Sequence, residues 1–335
     1  MNILITGMAG FIGHAVARRL AREGHAIVGI DNLNDYYDVA LKQARLADLK
    51  AFDNVRFECI DLADGEAMQR LFAGERFDRV VHLAAQAGVR YSLDNPHAYV
   101  QSNLVGHLNV LEGCRHQQVG HLVYASSSSV YGMNPKVPFD TRDPVDHPIS
   151  LYAATKKSNE LMGHTYAHLY GIPMTGLRFF TVYGPWGRPD MALFKFTRAI
   201  LEGQPLPVYN HGELSRDFTY IDDIVEGVVR VLDVVPGGHA EWPQEATTPD
   251  TARAPFTLYN IGHGSPVALM DFIRAIERAT GKTALCDFQP MQAGDVVQTW
   301  ADTEALFEVT GYRPQMSVDE GVARFVDWYR DFYQC

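Results

Sequence analysis

The stretch Gly7-Met8-Ala9-Gly10-Phe11-Ile12-Gly13 lies almost at the start of the chain, between an apolar run at 3–5 and a helical pattern at 11–23. A strand, a glycine-rich turn and a helix in this order are typical of the first βα unit of a dinucleotide-binding domain. Glycine permits the tight turn and lets a pyrophosphate approach the backbone, and the helix N-terminus then faces the anion. The sequence therefore predicts a nucleotide cofactor at this turn.

Strands and helices continue to alternate through the first half of the chain. Continuous apolar runs predict strands, and longer periodic patterns predict helices. Alternation of this kind builds βαβ units around a parallel sheet whose strands are buried on both faces. We therefore predict an α/β fold with a Rossmann-type doubly wound parallel sheet. The further strands are expected at 27–30, 55–60, 80–83, 122–125 and 174–179, and the further helices at 64–73, 95–117 and 151–170.

The pattern changes after Phe180 and predicts a smaller C-terminal α/β cap that binds the substrate. Residues 184–189 are typical of a loop, 236–255 of a surface excursion, and 258–261 could return to the sheet. Helices are expected at 192–201, 223–234, 267–280 and 318–332. We expect the cofactor domain to comprise 1–180 with about 218–235 and 257–262, and the cap to comprise 181–217 and 263–335.

The composition limits the possible partners. The 335 residues include 29 Lys and Arg against 40 Asp and Glu, and the net charge of −11 argues against nucleic acid and against anionic lipid. No apolar run reaches the roughly 18 to 20 residues of a membrane span. The cysteines, Cys59, Cys114, Cys286 and Cys335, show neither disulfide nor zinc spacing. We expect a cytoplasmic protein with no metal, no membrane contact and no nucleic-acid partner.

Asp31 decides which nucleotide the predicted cofactor site prefers. It ends the second predicted strand, where a carboxylate can accept hydrogen bonds from an adenosine ribose and repel a 2′-phosphate. This arrangement favours NAD over NADP. Residues after the third and fourth strands are expected to line the adenine and ribose, so the predicted cofactor-binding residues are Gly7, Gly10, Phe11, Ile12, Gly13, Asp31, Asn32, Asp61, Leu62, Leu83, Ala84 and Ala85.

Tyr152 and Lys156 form the second informative pattern. They are four residues apart in a predicted helix, so they share one face. A phenol has a pKa of about 10 and is a poor base at neutral pH, but a nearby ammonium would lower that pKa. Such a tyrosine could take a hydroxyl proton while hydride leaves the same carbon. Lys156 could also contact the nicotinamide ribose.

The chain resembles the extended short-chain dehydrogenase/reductase family, the nucleotide-sugar epimerases and dehydratases. The resemblance covers essentially the whole chain, including the G-x-x-G-x-x-G spacing of the first turn. It implies tightly held NAD, a UDP- or dTDP-sugar substrate and a homodimer formed by the helices around 95–117 and 151–170. The matching residues are 6–13, 31–33, 82–85, 126–132, 152–156, 178–180, 183–185 and 216–218.

The resemblance also implies roles for single residues. Ser127 matches the catalytic Ser or Thr of the family, which acts with Tyr152 and Lys156. Asn103 matches an asparagine that is either structural or in contact with the cofactor. Arg216 matches the arginine that usually meets the diphosphate.

Residues that follow Ser127 separate the reactions of the family. A 4,6-dehydratase needs an acid–base pair, normally Asp-Glu, where this chain has Ser128 and Ser129, so dehydration is excluded. The strings at 178–192 and 291–295 are similar to those of UDP-glucuronate 4-epimerases. Gln292 stands where galactose-type epimerases usually carry Arg, which disfavours a neutral hexose.

The implied reaction is the reversible C4 epimerisation of UDP-glucuronate to UDP-galacturonate through a transient 4-keto sugar. Neutral donors, Ser128, Ser129 and Thr181, are expected to hold the sugar carboxylate and prevent loss of CO2. The alternatives that stay open are a UDP-glucuronate decarboxylase, an epimerase of UDP-hexoses or UDP-N-acetylhexosamines and their uronates, and a non-catalytic dinucleotide sensor. The predicted substrate-binding residues are Arg90, Ser127, Ser128, Ser129, Thr181, Arg188, Arg216 and Asp295.

Overall fold

The computed structural model describes residues 1–238, 248–292 and 294–335. Its strands are β1 (Asn2–Thr6), β2 (Ala26–Asp31), β3 (Val55–Cys59), β4 (Arg79–His82), β5 (Leu122–Ser127), β6 (Met174–Phe179), β7 (Thr181–Tyr183), β8 (Pro205–Val208), β9 (Ser215–Tyr220), β10 (Phe256–Ile261), β11 (Pro266–Ala268) and β12 (Leu285–Phe288). Seven of them form a parallel sheet in the order β10-β6-β5-β4-β1-β2-β3.

Helices cover both faces of this sheet. Ile3 and Ile5 of β1 belong to one core cluster, whereas Leu4 between them belongs to another, because successive side chains of a strand point to opposite faces. The predicted doubly wound α/β fold is confirmed. The helices are α1 (Phe11–Arg22), α2 (Val39–Leu49), α3 (Gly65–Gly74), α4 (Tyr91–Asp94), α5 (Pro96–Tyr99), α6 (Gly106–Gln117), α7 (Leu151–Tyr170), α8 (Ala192–Glu202), α9 (Ile221–Asp233), α10 (Leu269–Thr280), α11 (Glu304–Thr310) and α12 (Val318–Tyr333).

The register of the central strands brings their carboxyl ends together. Thr6 at the end of β1 pairs with Ile30 of β2 and with His82 of β4. Ser127 at the end of β5 pairs with Phe179 of β6. Ligands of open α/β sheets bind outside these ends, and the loops that follow the strands carry the predicted site residues.

The chain after β6 adds smaller sheets and returns once to the main sheet. One small sheet has the order β11-β9-β7, and another pairs β12 with β8. β10 pairs in parallel with β6, so the predicted return of 258–261 is confirmed. Within the predicted excursion at 236–255, residues 239–247 lie outside the described residues. Among the helices that the structure describes, none is long and apolar enough to cross a membrane.

The helix predicted at 95–117 differs from the prediction because it is interrupted. A π-helical segment, Val100–Val105, separates α5 from α6. Within it, the Asn103 carbonyl accepts a hydrogen bond from the Asn159 side chain at 2.6 Å. A carbonyl engaged by a side chain from α7 is a local reason for the departure from regular α geometry, and such π segments are frequent at functional sites.

Candidate active site

The glycine turn leaves no room for a side chain at Gly7 or Gly13. Gly7 has φ +74°, and a Cβ there would lie 2.8 Å from the Ala84 nitrogen. A Cβ at Gly13 would lie 2.1 Å from the Gly7 carbonyl oxygen. The same oxygen accepts a hydrogen bond from the Gly10 amide at 2.9 Å. The turn, α1 and the loop after β4 therefore meet backbone to backbone.

This turn fits a dinucleotide phosphate. Gly10 caps α1 with no side-chain hydrogen bond, and the first turn of the helix carries no acidic residue. The amides at a helix N-terminus and the helix dipole both favour an anion. The predicted Gly7, Gly10, Phe11, Ile12 and Gly13 all line a cavity of about 730 Å³. The residues present therefore fit NAD.

Substituting Gly13 by Ala is expected to remove bound NAD. The new Cβ meets a backbone oxygen that cannot rotate away, so α1 must shift out of the turn, at a cost of about 1 to 3 kcal/mol. The dissociation constant of NAD should rise about tenfold for each 1.4 kcal/mol of lost binding, so the cofactor content of the purified protein, measured by chromatography after denaturation, should fall. Gly74→Ala at the end of α3, where a Cβ meets nothing within 4 Å, is the matched control. An unchanged NAD content in Gly13→Ala would contradict the account.

Carboxylates after β2 and β3 form the adenosine end of the cavity. Asp31 accepts a hydrogen bond from the Leu33 amide at 2.9 Å, and Asn32 donates to Asp61 at 2.9 Å. Burial raises the pKa of Asp31, although the Leu33 amide and the Lys42 ammonium lower it. Asp31, Asn32, Asp61 and Leu62 all line the cavity.

The loop after β4 forms another wall, and Asn103 supports it from behind. Leu83, Ala84 and Ala85 line the cavity. Ser102 also lines it, whereas its neighbour Asn103 is not among the described lining residues. The Asn103 amide group donates to Gln86 O at 3.1 Å and accepts from the Gln86 amide at 2.8 Å. These bonds support the structural role that was left open for Asn103, and its contact with the cofactor stays a prediction.

Ser127, Tyr152 and Lys156 meet at the centre of the cavity, between β5 and α7. The Ser150 side chain caps α7 by accepting from the Ala153 amide at 3.1 Å, so the helix starts just before Tyr152. The Lys156 ammonium donates to the Ala125 carbonyl at 2.8 Å. Ser127 is therefore brought to Tyr152 and Lys156, which follow it in the sequence by 25 and 29 residues.

The pKa of Tyr152 differs in direction from the lowering that its spacing from Lys156 predicts. Burial raises the pKa of Tyr152, while the Ser127 hydroxyl and the Arg188 guanidinium lower it. Burial lowers the pKa of Lys156 to about 8, and Glu160 opposes that shift. Lys156 is not among the described groups that shift the pKa of Tyr152, so the expected depression of the tyrosine pKa by Lys156 is not found, and burial dominates. A positively charged nicotinamide beside the phenol would lower the pKa of Tyr152, as Arg188 does.

The lowered pKa of Lys156 makes folding stability depend on pH. Between pH 8 and 10 the unfolded chain, with its ordinary lysine pKa, binds more protons than the folded one, so the free energy of unfolding rises with pH. Relative to Lys156→Met, the wild type should gain about 2 kcal/mol between pH 7.5 and 9.5. Chemical denaturation of both proteins across this range measures the gain. A difference that does not vary with pH would refute the lowered pKa.

Beyond this group, the cavity continues to Ser128, Ser129, Thr181 and Arg188. Ser128 and Ser129 begin a 3₁₀ turn, in which the Ser129 amide donates to the Ser127 hydroxyl at 3.1 Å. Arg188 donates to the Asp190 carboxylate at 3.0 Å. The segment therefore offers hydroxyl donors and one guanidinium to a substrate.

The far end of the cavity carries two arginines and a carboxylate. Arg90 donates to Asp295 at 3.0 Å and lies over the Tyr209 ring at 5.0 Å. Arg216 is held by hydrogen bonds to the carbonyls of Ser215 and Val297. Burial lowers the pKa of Arg216, Asp295 raises it and Arg90 lowers it again. Two cations this close suit a doubly charged diphosphate.

The sequence reasoning missed other residues of the cavity wall. Tyr36 donates to Asp190 at 3.1 Å, which ties the loop after β2 to the segment that carries Arg188. Lys195 of α8 and Tyr209 also line the cavity. Asp190 had a usable signal, since it follows Arg188 by two residues in a loop. Among the described residues, no group of three or more His, Cys, Asp and Glu side chains could hold a metal ion.

The chain belongs to the NAD dependent epimerase/dehydratase family, whose sequence model matches residues 3–241. A probable UDP-glucuronate 4-epimerase of Rhizobium meliloti is 52% identical over all of this chain and 98% of its own.

Solved structures are similar over the same length. A UDP-glucuronic acid 4-epimerase of Bacillus cereus, crystallised with UDP-glucuronic acid and NAD, matches with a TM-score of 0.87 and 32% identity over 99% of this chain and all of its own. A UDP-glucose 4-epimerase of Thermotoga maritima, solved with UDP-glucose, matches with a TM-score of 0.83 and 29% identity over 99% of this chain and all of its own. The fold is therefore shared by relatives named for different sugars.

Proposed function

We propose that the protein catalyses the NAD-dependent, reversible C4 epimerisation of UDP-glucuronate to UDP-galacturonate through a transient 4-keto sugar. The observation that carries the proposal is one continuous cavity. It begins at the glycine turn, passes Ser127, Tyr152 and Lys156, and ends at the arginines Arg90 and Arg216. The similarity to UDP-glucuronate 4-epimerases supports the choice of sugar.

The residues at the centre divide the proton chemistry between them. NAD, when bound, supplies the acceptor for the C4 hydride and its return. Tyr152 takes the proton of the 4-hydroxyl and later gives it back. Ser127 lowers the pKa of Tyr152 and can hydrogen-bond the same oxygen of the sugar. Lys156 is fixed by the Ala125 carbonyl, and we assign it to contact with the nicotinamide ribose.

Inversion requires that the 4-keto sugar rotates within the site, so that its other face is presented before it is reduced again. The nucleotide must therefore be held firmly while the sugar is held loosely. Arg90 and Arg216 are placed to hold the diphosphate at the far end of the cavity. We assign the cofactor-binding part to 1–180 with about 218–235 and 257–262, and the substrate cap to 181–217 and 263–335.

A uronic acid oxidised at C4 is a β-keto acid and can lose CO2. Loss requires the bond from C5 to the carboxyl carbon to stand roughly perpendicular to the plane of the ketone. Ser128, Ser129 and Thr181 line the cavity beside Ser127, where their hydroxyls can hold the carboxylate away from that alignment. Arg188 is already paired with Asp190, so its charge is partly compensated.

Thr181→Ala is expected to release CO2 and a UDP-pentose beside the epimer. Loss of one hydrogen bond to a charged group is worth about 1.5 to 3 kcal/mol, enough to raise the decarboxylated fraction at least about tenfold. Thr181→Ser, which keeps the hydroxyl, is the matched control and should give the epimer alone. If Thr181→Ala also gives only the 4-epimer at the normal rate, Thr181 has no such role.

The function is tested by incubating the purified protein with UDP-glucuronate, without added NAD, and identifying the product by NMR. UDP-galacturonate is the expected product. A UDP-pentose would identify a decarboxylase. No reaction with UDP-glucuronate, together with turnover of UDP-glucose or UDP-N-acetylglucosamine, would identify an epimerase of neutral sugars.

We also propose that the enzyme is a homodimer of the cytoplasm. Apolar side chains on α6 and α7 are exposed, with Leu108, Leu161 and Leu169 at 39%, 58% and 61% of their full accessibility. A second copy packed on these helices would cover them. The cysteines are unpaired, which fits a reducing compartment. Light scattering of the wild type should give about twice the mass of the 37.4 kDa chain.

A further inference from the structure

Trp186 has a backbone conformation that a bulky residue rarely adopts. Its φ is +65°, in the left-handed region that favours glycine. Such a conformation persists only where surrounding contacts hold it, and it concentrates at functional sites. The Trp186 ring packs against Trp328 and Phe332 of α12, with centroids 5.4 and 5.3 Å away, and against His14 of α1 at 5.3 Å.

The backbone of Trp186 is held by Arg45 of α2, whose side chain is completely buried. One guanidinium nitrogen donates to the Trp186 carbonyl at 2.6 Å, and it lies 3.4 Å from the Gly187 carbonyl. The other donates to the Ala9 carbonyl at 2.9 Å and to the Tyr37 hydroxyl at 2.7 Å. Arg45 therefore joins two segments of the chain that are 177 residues apart.

Both segments belong to the candidate active site. Ala9 lies between Gly7 and Gly10, inside the turn that fits the cofactor phosphate. Trp186 lies two residues before Arg188, which lines the other side of the cavity. A buried cation is costly unless it is paired. The described hydrogen bonds of the Arg45 guanidinium go to backbone carbonyls and to the Tyr37 hydroxyl, and none goes to an acidic side chain.

We propose that Arg45 is a positioning residue that couples the binding of NAD to the binding of the nucleotide sugar. A cofactor phosphate on the glycine turn fixes the Ala9 carbonyl and therefore the guanidinium. The guanidinium in turn holds Trp186 and Gly187 in the conformation that presents Arg188 to the cavity. Because coupling between two sites is reciprocal, a nucleotide bound in the cavity that Arg188 lines must raise the affinity for NAD by the same factor.

This inference rests on the proposed cofactor and nucleotide but not on the proposed sugar or on turnover. It is tested by the dissociation constant of NAD, measured by equilibrium dialysis with and without saturating UDP. For the wild type, UDP should lower this constant at least about fivefold, the lower end of ordinary coupling. Arg45→Met should reduce the effect of UDP to less than about twofold. Arg45→Lys, which keeps the charge but cannot reach both carbonyls, should lie between them.

Arg142→Met, at an exposed arginine, is the control and should keep the wild-type ratio. A folded Arg45→Met or Arg45→Lys holoenzyme with the wild-type ratio would overturn the coupling, as would a wild type in which UDP has no effect. Hydrogen exchange of the wild type avoids variants that fail to fold. The Gly187 amide, bonded to the Gly184 carbonyl at 3.0 Å, should exchange faster once NAD is removed, and an unchanged rate would also overturn the proposal.

A conversion of UDP-glucuronate to a UDP-pentose would refute the proposed function and leave the coupling intact. The opposite result, normal epimerisation with no effect of UDP on the affinity for NAD, would refute the coupling alone. The two ideas therefore fail separately.

Discussion

Tyr152→Phe is expected to lower kcat by at least about 10²-fold, because the variant keeps the ring and loses the phenol that carries the 4-hydroxyl proton. Phenylalanine fills the same space against Tyr99, whose ring lies 6.1 Å away, so folding and NAD content should stay unchanged. Initial rates with UDP-glucuronate and the NAD content of the same preparation measure both parts of this expectation.

Tyr170→Phe is the matched control for this substitution. Tyr170 ends the same helix, α7, and is 38% exposed, far from the cavity. Its variant should turn over at the wild-type rate. If Tyr152→Phe also kept a near-normal kcat, the proton would have to travel by another route, and the assignment of Tyr152 would fail.

Arg178→Met is expected to lower the free energy of unfolding by about 3 to 5 kcal/mol, since it leaves the Glu160 carboxylate buried without its cation. Arg178 is completely buried and donates to both oxygens of Glu160, at 2.9 and 3.0 Å. Ser126 donates to the same carboxylate at 2.6 Å. Glu160 follows Lys156 by one helical turn, so the variant should also reduce kcat.

The stability of the Arg178 variants can be measured by chemical denaturation. Arg142→Met removes an exposed partner of Asp140 and should cost less than about 1 kcal/mol. A double variant in which Glu160 and Arg178 are both Met should recover much of the loss, because neither charge of the buried pair remains. A loss of less than about 1 kcal/mol in Arg178→Met alone would contradict this expectation.

The glycine turn, the Tyr152–Lys156 pair and the doubly wound sheet were all predictable from local patterns. Each depends on spacing along one segment: Gly7 to Gly13 in a turn, a four-residue interval on a helix, and apolar runs that alternate with helices. The structure places these segments at one edge of the sheet because parallel strands share the direction of their carboxyl ends.

Features that depend on distant contacts could not be predicted in this way. The π-helical segment around Asn103 involves α7, and the bracing role of Asn103 involves the loop after β4. The raised pKa of Tyr152 depends on burial by several elements, which the interval from Tyr152 to Lys156 does not report. The sequence analysis predicted neither helix α2 nor a role for Arg45, and only the buried contacts of Arg45 with Ala9 and Trp186 reveal its position.

The central claim is that the hydrogen on C4 leaves the sugar and returns to the same carbon within one active site. UDP-glucuronate that carries deuterium at C4, incubated with the purified protein in ordinary water without added NAD, tests this claim directly. The account predicts UDP-galacturonate with the deuterium still on C4. A product that carries protium on C4, or a UDP-pentose in place of the epimer, would contradict it.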